Sequence, residues 1–241
     1  MGIEFEDVHK TLTRKGDQTH LFSRVNFSIP DDRAGIIFAP PGAGKTSLAR
    51  LASGNIPPDR GRIRRDGKVS FPVGSQNVFN NILTPRENIA FLCRVYGFSA
   101  REVVDFVCDF ADLGDVIDRR TSSLDKDSRS RLQFTLPYAM PFDHYVVDET
   151  LTGGREPFRA KCEALVAYRM QSAGFLVVAS TPKTISKSWD HVFVLANMRV
   201  TEVASVEAAM ALVKDMPAIP HKKVRVRDQR PDENEDDGFD I

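Results

Sequence analysis

The segment "AGIIFAPPGAGKTSLARLASG", residues 34–54, constrains the fold of this chain more than any other. An apolar pattern typical of a buried strand runs into a turn with two glycines, and a helical pattern begins directly after the turn. The glycines allow the main chain to curl around phosphate oxygens, while amide hydrogens and the helix N-terminus supply positive potential. We therefore predict a phosphate-binding loop between a strand and a helix of an α/β domain.

This phosphate-binding loop, or P-loop, assigns nucleotide contacts to seven consecutive residues: Pro41, Gly42, Ala43, Gly44, Lys45, Thr46 and Ser47. Lys45 adds a full positive charge, and the Thr46 hydroxyl is a candidate ligand for Mg²⁺. Two positions depart from the usual pattern, because Ala39 stands where a glycine is usual and Pro41 lacks an amide hydrogen. Ala39 is expected to narrow the backbone angles of the first turn. A simple glycine turn is the alternative, but it does not explain the flanking strand and helix.

Composition excludes several classes of protein. With 241 residues, 41% of them hydrophobic, the chain can bury the core of one large domain or two small lobes. Its 33 basic and 33 acidic residues give no net charge that would attract nucleic acid or anionic lipid. No apolar run approaches the roughly 20 residues that cross a bilayer, and the N-terminus lacks the features of a secretory signal, which predicts a cytosolic start. Three scattered cysteines without metal-ligand spacing are expected to be core thiols.

Strand and helix patterns alternate along the chain. Strands are predicted at "AGIIFA", "HYVVD", "GFLVVAS" and "HVFVLA", and helices at about 85–96, 100–110 and 127–139. These patterns predict an α/β fold: a P-loop core with a β-rich lobe and a helical insertion at about 84–138, within one domain over residues 1–218. Residues 219–241 carry a basic block and then an acidic block, which predicts a tail, either solvated or in electrostatic contact with a partner or a membrane.

An acid pair ends the predicted strand in "DHYVVDET", about 100 residues after Lys45. A carboxylate at this position can hold Mg²⁺ through its water shell, and we assign that role to Asp148. The neighbouring Glu149 is the candidate catalytic residue that polarises an attacking water. The alternative is an exposed acid pair at a strand end with no chemical role.

Together with these two motifs, residues 2–200 resemble the ATP-binding subunits of ABC transporters, most closely those that export capsular and O-antigen polysaccharides. The matching segments, in order, are "NIPPDRGRIRRDGKVSFPVG", "LTPRENIAFLCRVYG", "RSRLQFTLPYAMPFDHYVVDE" and "TPKTI". The resemblance implies an ABC-type P-loop NTPase core that takes ATP and Mg²⁺ as cofactors. It also implies a dimer, with itself or with a related ATP-binding subunit, that sandwiches two ATP molecules. The helical insertion would dock on a transmembrane permease, at the cytoplasmic face of the inner membrane.

The chain departs from this family at two places that act on the γ-phosphate. The signature loop, usually a Ser-Gly motif, reads "SSLDKDSRSRL", which puts Asp125, Lys126 and Asp127 at its position. Two carboxylates there would repel the phosphate bound by the opposite subunit. Ser180 stands where the family has a switch histidine, and a hydroxyl cannot carry the charge of an imidazolium. We nevertheless name Ser180 with Glu149 as a catalytic candidate.

Three further positions are less defined. The family's loop glutamine, a metal ligand, matches Gln76 by residue type but Asn80 by spacing, and both alternatives stay open. The aromatic residue that stacks on adenine would fall near Leu12, where this chain has no ring. Arg155 replaces an expected acid in "TLTGGRE".

These observations predict the ATP-binding subunit of an ABC transporter for a cell-surface polysaccharide, a subunit that binds Mg-ATP and hydrolyses it slowly. The alternative is a nucleotide-sensing or scaffolding subunit of a membrane polysaccharide assembly with little or no ATPase activity. A small-molecule kinase with a P-loop is disfavoured, because the chain has no motif for an acceptor site.

Overall fold

Two β-sheets and a set of helices build the protein, as seen in a computed structural model that describes residues 2–14, 17–74, 78–151, 153–181, 189–214, 216 and 224–225. Strands and helices are numbered along the chain. The first sheet is antiparallel and contains β1 (Ile3–Arg14), β2 (Asp17–Ile29), β4 (Arg60–Arg65) and β9 (Val224–Arg225), in the order β4-β1-β2-β9. The rings of Phe5 and Phe27 stack across β1 and β2 with centroids 4.4 Å apart, on the buried face of this sheet.

The second sheet forms the core. It contains β3 (Ala34–Phe38), β5 (His144–Asp148), β6 (Gly174–Ala179), β7 (His191–Ala196) and β8 (Arg199–Val203), in the order β5-β6-β3-β7-β8. The first four strands are parallel and β8 is antiparallel to β7. Every residue of β3 and β6 is buried, as expected for parallel strands covered on both faces. The carboxyl ends of β3, β5 and β6 therefore lie side by side at one edge of the sheet.

Helices follow the strands and fill the predicted insertion. Their bounds are α1 (Lys45–Ala52), α2 (Pro85–Tyr96), α3 (Ala100–Phe110), α4 (Lys126–Ala139), α5 (Phe158–Arg169) and α6 (Val206–Lys214), with short 3₁₀ segments at Gly114–Asp118 and Thr121–Ser123. The three helices predicted between residues 85 and 139 are confirmed to within one residue. The predicted α/β fold, with a β-rich lobe beside the P-loop core, is confirmed as well.

Local sequence explains where α2 begins and ends. The Thr84 hydroxyl accepts a hydrogen bond from the Glu87 amide, and the Glu87 carboxylate accepts one from the Thr84 amide. This capping box and Pro85 at the first helical position favour a helix start. Gly97 ends the helix in the left-handed conformation, with φ 70°. The helix is therefore fixed at both ends independently of its packing.

Other predictions concern the rest of the chain. None of the helices in the described part combines the length and apolar character that a membrane crossing requires. Cys93 and Cys162 are buried free thiols and Cys108 is partly buried, which confirms the prediction of core cysteines. Of the predicted tail over 219–241, the described part is β9 alone, which pairs with the start of β2.

Candidate functional site

The P-loop connects the end of β3 to the start of α1. Gly42 and Gly44 lie in the left-handed region, with φ 83° and 95°, a conformation that glycine adopts without steric cost. A Cβ on Gly44 would lie 3.1 Å from the Phe22 ring, so space also favours glycine here. Gly44 is the N-cap of α1 and has no side chain to engage the first helix amides. These amides are left to bind an anion.

Ala39 does not strain the loop, contrary to the sequence expectation. It is fully buried, and its amide donates to the Ala179 carbonyl at 3.0 Å, which continues the pairing of β3 with β6. Its backbone is not left-handed. A glycine is therefore not needed at this position, and the methyl group contributes to the core instead.

Lys45 points from the start of α1 towards two neighbours. Its Nζ lies 3.3 Å from the Pro40 carbonyl, to which it donates, and 3.2 Å from Glu149 Oε1. The side chain is 12% exposed. A largely buried ammonium ion thus links the P-loop to the end of β5, and its partners are the groups with which a phosphate would compete.

Asp148 and Thr46 meet at the other side of the loop. The Thr46 hydroxyl lies close enough to the Asp148 carboxylate to favour its charged form. Burial raises the pKa of Asp148 above its ordinary value, and the nearby Thr46 hydroxyl offsets part of that rise. Its Oδ1 atom is buried and has no hydrogen-bond partner within the described residues. A buried carboxylate oxygen without a partner is costly unless it meets a cation, so these two side chains fit a Mg²⁺ site.

Glu149 is held by Ser180. The Ser180 hydroxyl donates to Glu149 Oε1 at 2.8 Å, and the Ser180 amide donates to Oε2 at 3.1 Å. Burial raises the pKa of Glu149, but the hydrogen bonds from Ser180 and the charge of Lys45 outweigh it and keep the pKa below its ordinary value. Glu149 adopts φ 71°, a left-handed backbone that is costly for a non-glycine residue and typical of functional sites. The carboxylate is therefore charged and fixed in direction.

Sequence reasoning missed the contact between Ser180 and Glu149. It assigned Ser180 to the position of the family's switch histidine, and in the structure the Ser180 hydroxyl donates to Glu149. The sequence carried part of the signal, because each residue directly follows a buried strand, but it did not give the order of the two strands in the sheet. Strands β5 and β6 are parallel neighbours, so the residues at their carboxyl ends meet.

The candidates for the loop glutamine are only partly visible. Gln76 lies outside the described residues. The Asn80 side-chain oxygen accepts a hydrogen bond from the Ile82 amide at 2.9 Å, so it serves the local turn. Gly74, just before this loop, is left-handed and approaches the main chain of Asp148, whose carbonyl oxygen would lie 2.6 Å from an added Cβ. The loop thus starts at the acid pair.

The residues at the signature position form the start of α4. Asp125 Oδ1 accepts hydrogen bonds from the amides of Asp127 and Ser128, each at 2.9 Å, and Ser128 Oγ donates to Oδ2 at 2.8 Å. These bonds keep the pKa of Asp125 below its ordinary value. Asp127 pairs with Arg131 one turn on, at 2.8 Å. The Asp125 carboxylate thus accepts hydrogen bonds from two amides in the first turn of α4.

The remaining sequence candidates lie elsewhere. Leu12 is 39% exposed and sits opposite Thr19 in the antiparallel sheet. Arg155 is exposed, and its carbonyl accepts from the Arg159 amide. Neither is brought to the acid pair by a contact of the described residues.

A groove of about 480 Å³ lies between the core and α2. It is lined mainly by apolar side chains, with Arg50 and Asn55 as polar members; the apolar residues are Ile56, Phe71, Pro72, Val78, Phe91, Leu92, Val95 and Tyr96. Phe91 and Val95 are 61% and 60% exposed, and Ile82 next to α2 is 73% exposed. Large apolar side chains grouped on a surface are typical of protein interaction sites.

Comparison with known proteins gives relatives among the ATP-binding proteins of polysaccharide export, although no family model matches the chain. The polysialic acid transport ATP-binding protein KpsT of Escherichia coli is 32% identical over 197 residues, covering 81% of this chain and 88% of KpsT. The capsule polysaccharide export ATP-binding protein CtrD of Neisseria meningitidis serogroup B is 28% identical, covering 89% of this chain and all of CtrD. The O-antigen export system ATP-binding protein RfbB of Klebsiella pneumoniae is 27% identical and covers 83% of each chain.

Solved structures support the fold. An ATP-binding subunit of an ABC transporter superposes with a TM-score of 0.72 at 17% identity, covering 89% of this chain and all of that one. The dimeric ATP-binding cassette MJ0796, in a post-hydrolysis state bound to ADP and Pi, gives a TM-score of 0.68 at 16% identity and covers 83% of this chain and 97% of its own.

Proposed function

Because the chain belongs to the family of ABC-transporter ATP-binding subunits that serve capsule and O-antigen export, we propose that it powers the export of a cell-surface polysaccharide by binding and hydrolysing ATP. The observation that carries this proposal is the meeting of Lys45, Thr46, Asp148 and Glu149 at one sheet edge. In this proposal residues 1–218 are the nucleotide-binding domain, residues 84–138 are its insertion and 219–241 its tail.

The P-loop would bind the phosphates of ATP. The seven residues from Pro41 to Ser47 surround the start of α1, whose free amides and Lys45 supply positive charge. Thr46 and Asp148 would hold Mg²⁺, which neutralises phosphate charge when bound. A phosphate that engages Lys45 would replace Glu149 as its partner, so ATP binding would release Glu149 Oε1 from this ion pair.

Glu149 would orient the attacking water. Its carboxylate is charged and its direction is set by Ser180, so the pair has the geometry of a base and a positioning residue. Ser180 lies where the family has its histidine, but it contributes a single hydroxyl that already donates to Glu149. The γ-phosphate then lacks one charged donor, which lowers the rate.

The signature end of α4 would act on the partner subunit's nucleotide. Asp125 uses the amides of Asp127 and Ser128 for its own carboxylate, and two negative side chains would face the incoming γ-phosphate. A homodimer would carry this defect at both sites. A heterodimer with a related subunit would carry it at one site, and the other site would still have Ser180 in place of histidine, so a better partner should raise turnover only partly.

Two measurements on the purified protein test this function. Titration calorimetry with ATP, with and without Mg²⁺, is expected to show metal-dependent binding. Steady-state hydrolysis is expected to be measurable above a Glu149→Gln blank but slower than about 1 per second. Binding with no turnover above the blank would favour the alternative, a nucleotide-sensing or scaffolding subunit. The absence of binding would reject both.

The groove beside α2 is the proposed contact with a transmembrane permease, which would hold the protein at the cytoplasmic face of the inner membrane. Its apolar lining, which includes the exposed Phe91, would suit a short helix from a membrane subunit, and the exposed Ile82 precedes α2 in the chain. Cysteines introduced at Ile82 and Phe91 should cross-link to a membrane protein in native membranes. A cysteine at Tyr168, 63% exposed on α5, is the matched control. Equal capture from all three positions would contradict this docking site.

A further inference from the structure

The backbone at Glu149 forms a tight three-residue turn directly after β5. The Thr150 amide donates to the Asp148 carbonyl at 3.0 Å, and Glu149 between them has φ 71°. A hydrogen bond across three residues with a positive φ at the centre is typical of a γ-turn of the rare, strained kind. A glutamate does not adopt this backbone by preference, so the surrounding structure must hold it there.

Both ends of this turn are fixed by contacts of the described residues. Before the turn, the Glu149 amide donates to the Val178 carbonyl at 2.8 Å, which continues the pairing of β5 with β6. After the turn, Leu151 is 3% exposed, and its carbonyl accepts a hydrogen bond from the Tyr138 hydroxyl of α4 at 3.4 Å. The backbone at Glu149 therefore cannot relax unless one of these ends moves.

Tyr138 is itself held in place. It is fully buried, and its ring packs against those of Phe134 and Tyr145, with centroids 5.0 and 5.3 Å away. The Tyr138 carbonyl accepts from Arg169 Nε at 2.9 Å. Burial raises the pKa of Tyr138 well above its ordinary value, so the hydroxyl keeps the proton that it donates. A fixed donor thus meets the carbonyl two residues after Glu149.

We propose that Tyr138 is a positioning residue that holds Glu149 in its strained turn through the hydrogen bond to the Leu151 carbonyl. The turn fixes the direction in which the Glu149 side chain leaves the backbone, and Ser180 fixes its carboxylate. Without the Tyr138 hydroxyl the buried carbonyl loses this donor, which favours movement of Leu151 and relaxation of the turn. The consequence for hydrolysis rests on the proposed function, because it takes Glu149 as the group that orients water.

Two substitutions at position 149 measure the strain without ATP. Glu149→Gly and Glu149→Ala both delete the carboxylate, so they differ only in the backbone that they allow. Denaturant unfolding should give Glu149→Gly an unfolding equilibrium constant about 5-fold or more below that of Glu149→Ala, because glycine adopts a positive φ without steric cost. In a Tyr138→Phe background this ratio should vanish or reverse, since glycine in a relaxed turn has more conformational freedom to lose.

Tyr145→Phe is the matched control. It removes another buried tyrosine hydroxyl, which donates to the Met140 carbonyl at 2.7 Å, and it leaves the donor to Leu151 in place. The ratio of the two unfolding constants should therefore persist in this background. The same unfolding curves show that each variant is folded before its ratio is read.

Hydrolysis measures the positioning role. Tyr138→Phe should lower kcat about 10-fold or more, because a displaced Glu149 no longer aims at the attacking water. The calorimetric Kd for Mg-ATP should stay within about 2-fold of wild type, since the P-loop is unchanged. Tyr145→Phe should change neither quantity.

The outcomes separate this inference from the proposed function. An unchanged ratio in Tyr138→Phe, or an equal loss in Tyr145→Phe, would overturn the inference whatever the hydrolysis result. A kcat of Tyr138→Phe equal to wild type would overturn the positioning role and leave the proposed function standing. If wild type shows no turnover above the Glu149→Gln blank, the proposed function fails, and the unfolding ratios alone decide whether Tyr138 holds the turn.

Discussion

The two regions that would touch ATP phosphates, the P-loop and the N-terminal turn of α4, both depart from their family patterns, yet with opposite physical consequences. At the P-loop, Ala39 continues β3 as a buried, unstrained residue, and no side chain of the described residues caps the amides that open α1. At α4, Asp125 places its own carboxylate on the amides of the first turn. One helix start is open to a phosphate, and the other is occupied by a side chain.

The difference shows which kinds of substitution a phosphate site tolerates. Phosphate binding at a helix start depends on backbone amides, so a neutral residue that leaves the backbone unchanged has little effect. A carboxylate at the same kind of position competes for those amides and adds like charge. The comparison therefore predicts a chain that binds ATP in its own P-loop but completes the partner's site poorly.

The largest expected effect on nucleotide binding is its loss in Lys45→Ala. This change removes the cation of the P-loop and leaves Glu149 without its ion pair, so the site becomes more negative. Two charge-assisted hydrogen bonds at roughly 1.5–3 kcal/mol each weaken binding at least about 100-fold, which abolishes the calorimetric signal. Lys68→Ala, which removes an exposed cation over the Phe98 ring, is the control and should bind normally. Equal affinity in Lys45→Ala and wild type would refute the P-loop assignment.

The second prediction concerns a variant that restores the family's residues at the start of α4 and at position 180. Ser180→His combined with Asp125→Ser and Asp127→Gly should raise steady-state hydrolysis, because each recovered donor to the developing charge is worth roughly 100-fold to 1000-fold in rate. Serine remains a good N-cap, so α4 should keep its start while the carboxylate leaves. Glu149→Gln is the blank. A wild-type rate of about 1 per second or above would show that these loops are not defective.

The third prediction separates the capping role of Asp125 from its effect on phosphate. Asp125→Ala should lower Tm by about 2–4 °C at pH 7, which is the scale for one lost helix cap in a domain of this size. The Tm of Asp125→Ser should stay near that of the wild type, because serine also caps a helix. The folded-state pKa of Asp125 lies below its ordinary value of 3.8, so its stabilisation is present above that pH and is lost as the pH falls through the folded-state pKa. Thermal unfolding across pH measures the difference in Tm between Asp125→Ala and the wild type. A difference that widens on acidification would contradict the capping role of Asp125.

Sequence patterns predicted the local parts of this protein better than the contacts between them. The P-loop between β3 and α1, the strand that ends at Asp148 and the helices of the insertion all follow from short-range periodicity and capping. The bond between Ser180 and Glu149 depends on the order of β5 and β6 in the sheet, which no local pattern encodes. The buried Asn88 side chain donates to the Asn80 carbonyl and to the Thr121 hydroxyl oxygen, and these hydrogen bonds depend likewise on tertiary packing.

The smallest expected effect, and the sharpest test of the P-loop half of the comparison, is Ala39→Gly. If glycine is needed only where the backbone is left-handed, this change should leave the affinity for Mg-ATP within about 2-fold, which is under half of 1 kcal/mol. It should lower the free energy of unfolding by about 0.5–1 kcal/mol, because glycine in an extended segment loses more conformational freedom on folding. Gly42→Ala is the matched opposite, since Gly42 has φ 83° and its replacement should weaken nucleotide binding through backbone strain. Calorimetry and denaturant unfolding of the two variants separate affinity from stability. A gain of about 10-fold or more in affinity for Ala39→Gly would mean that the alanine does constrain the loop, and the contrast between an unimpaired P-loop and an occupied start of α4 would then fail.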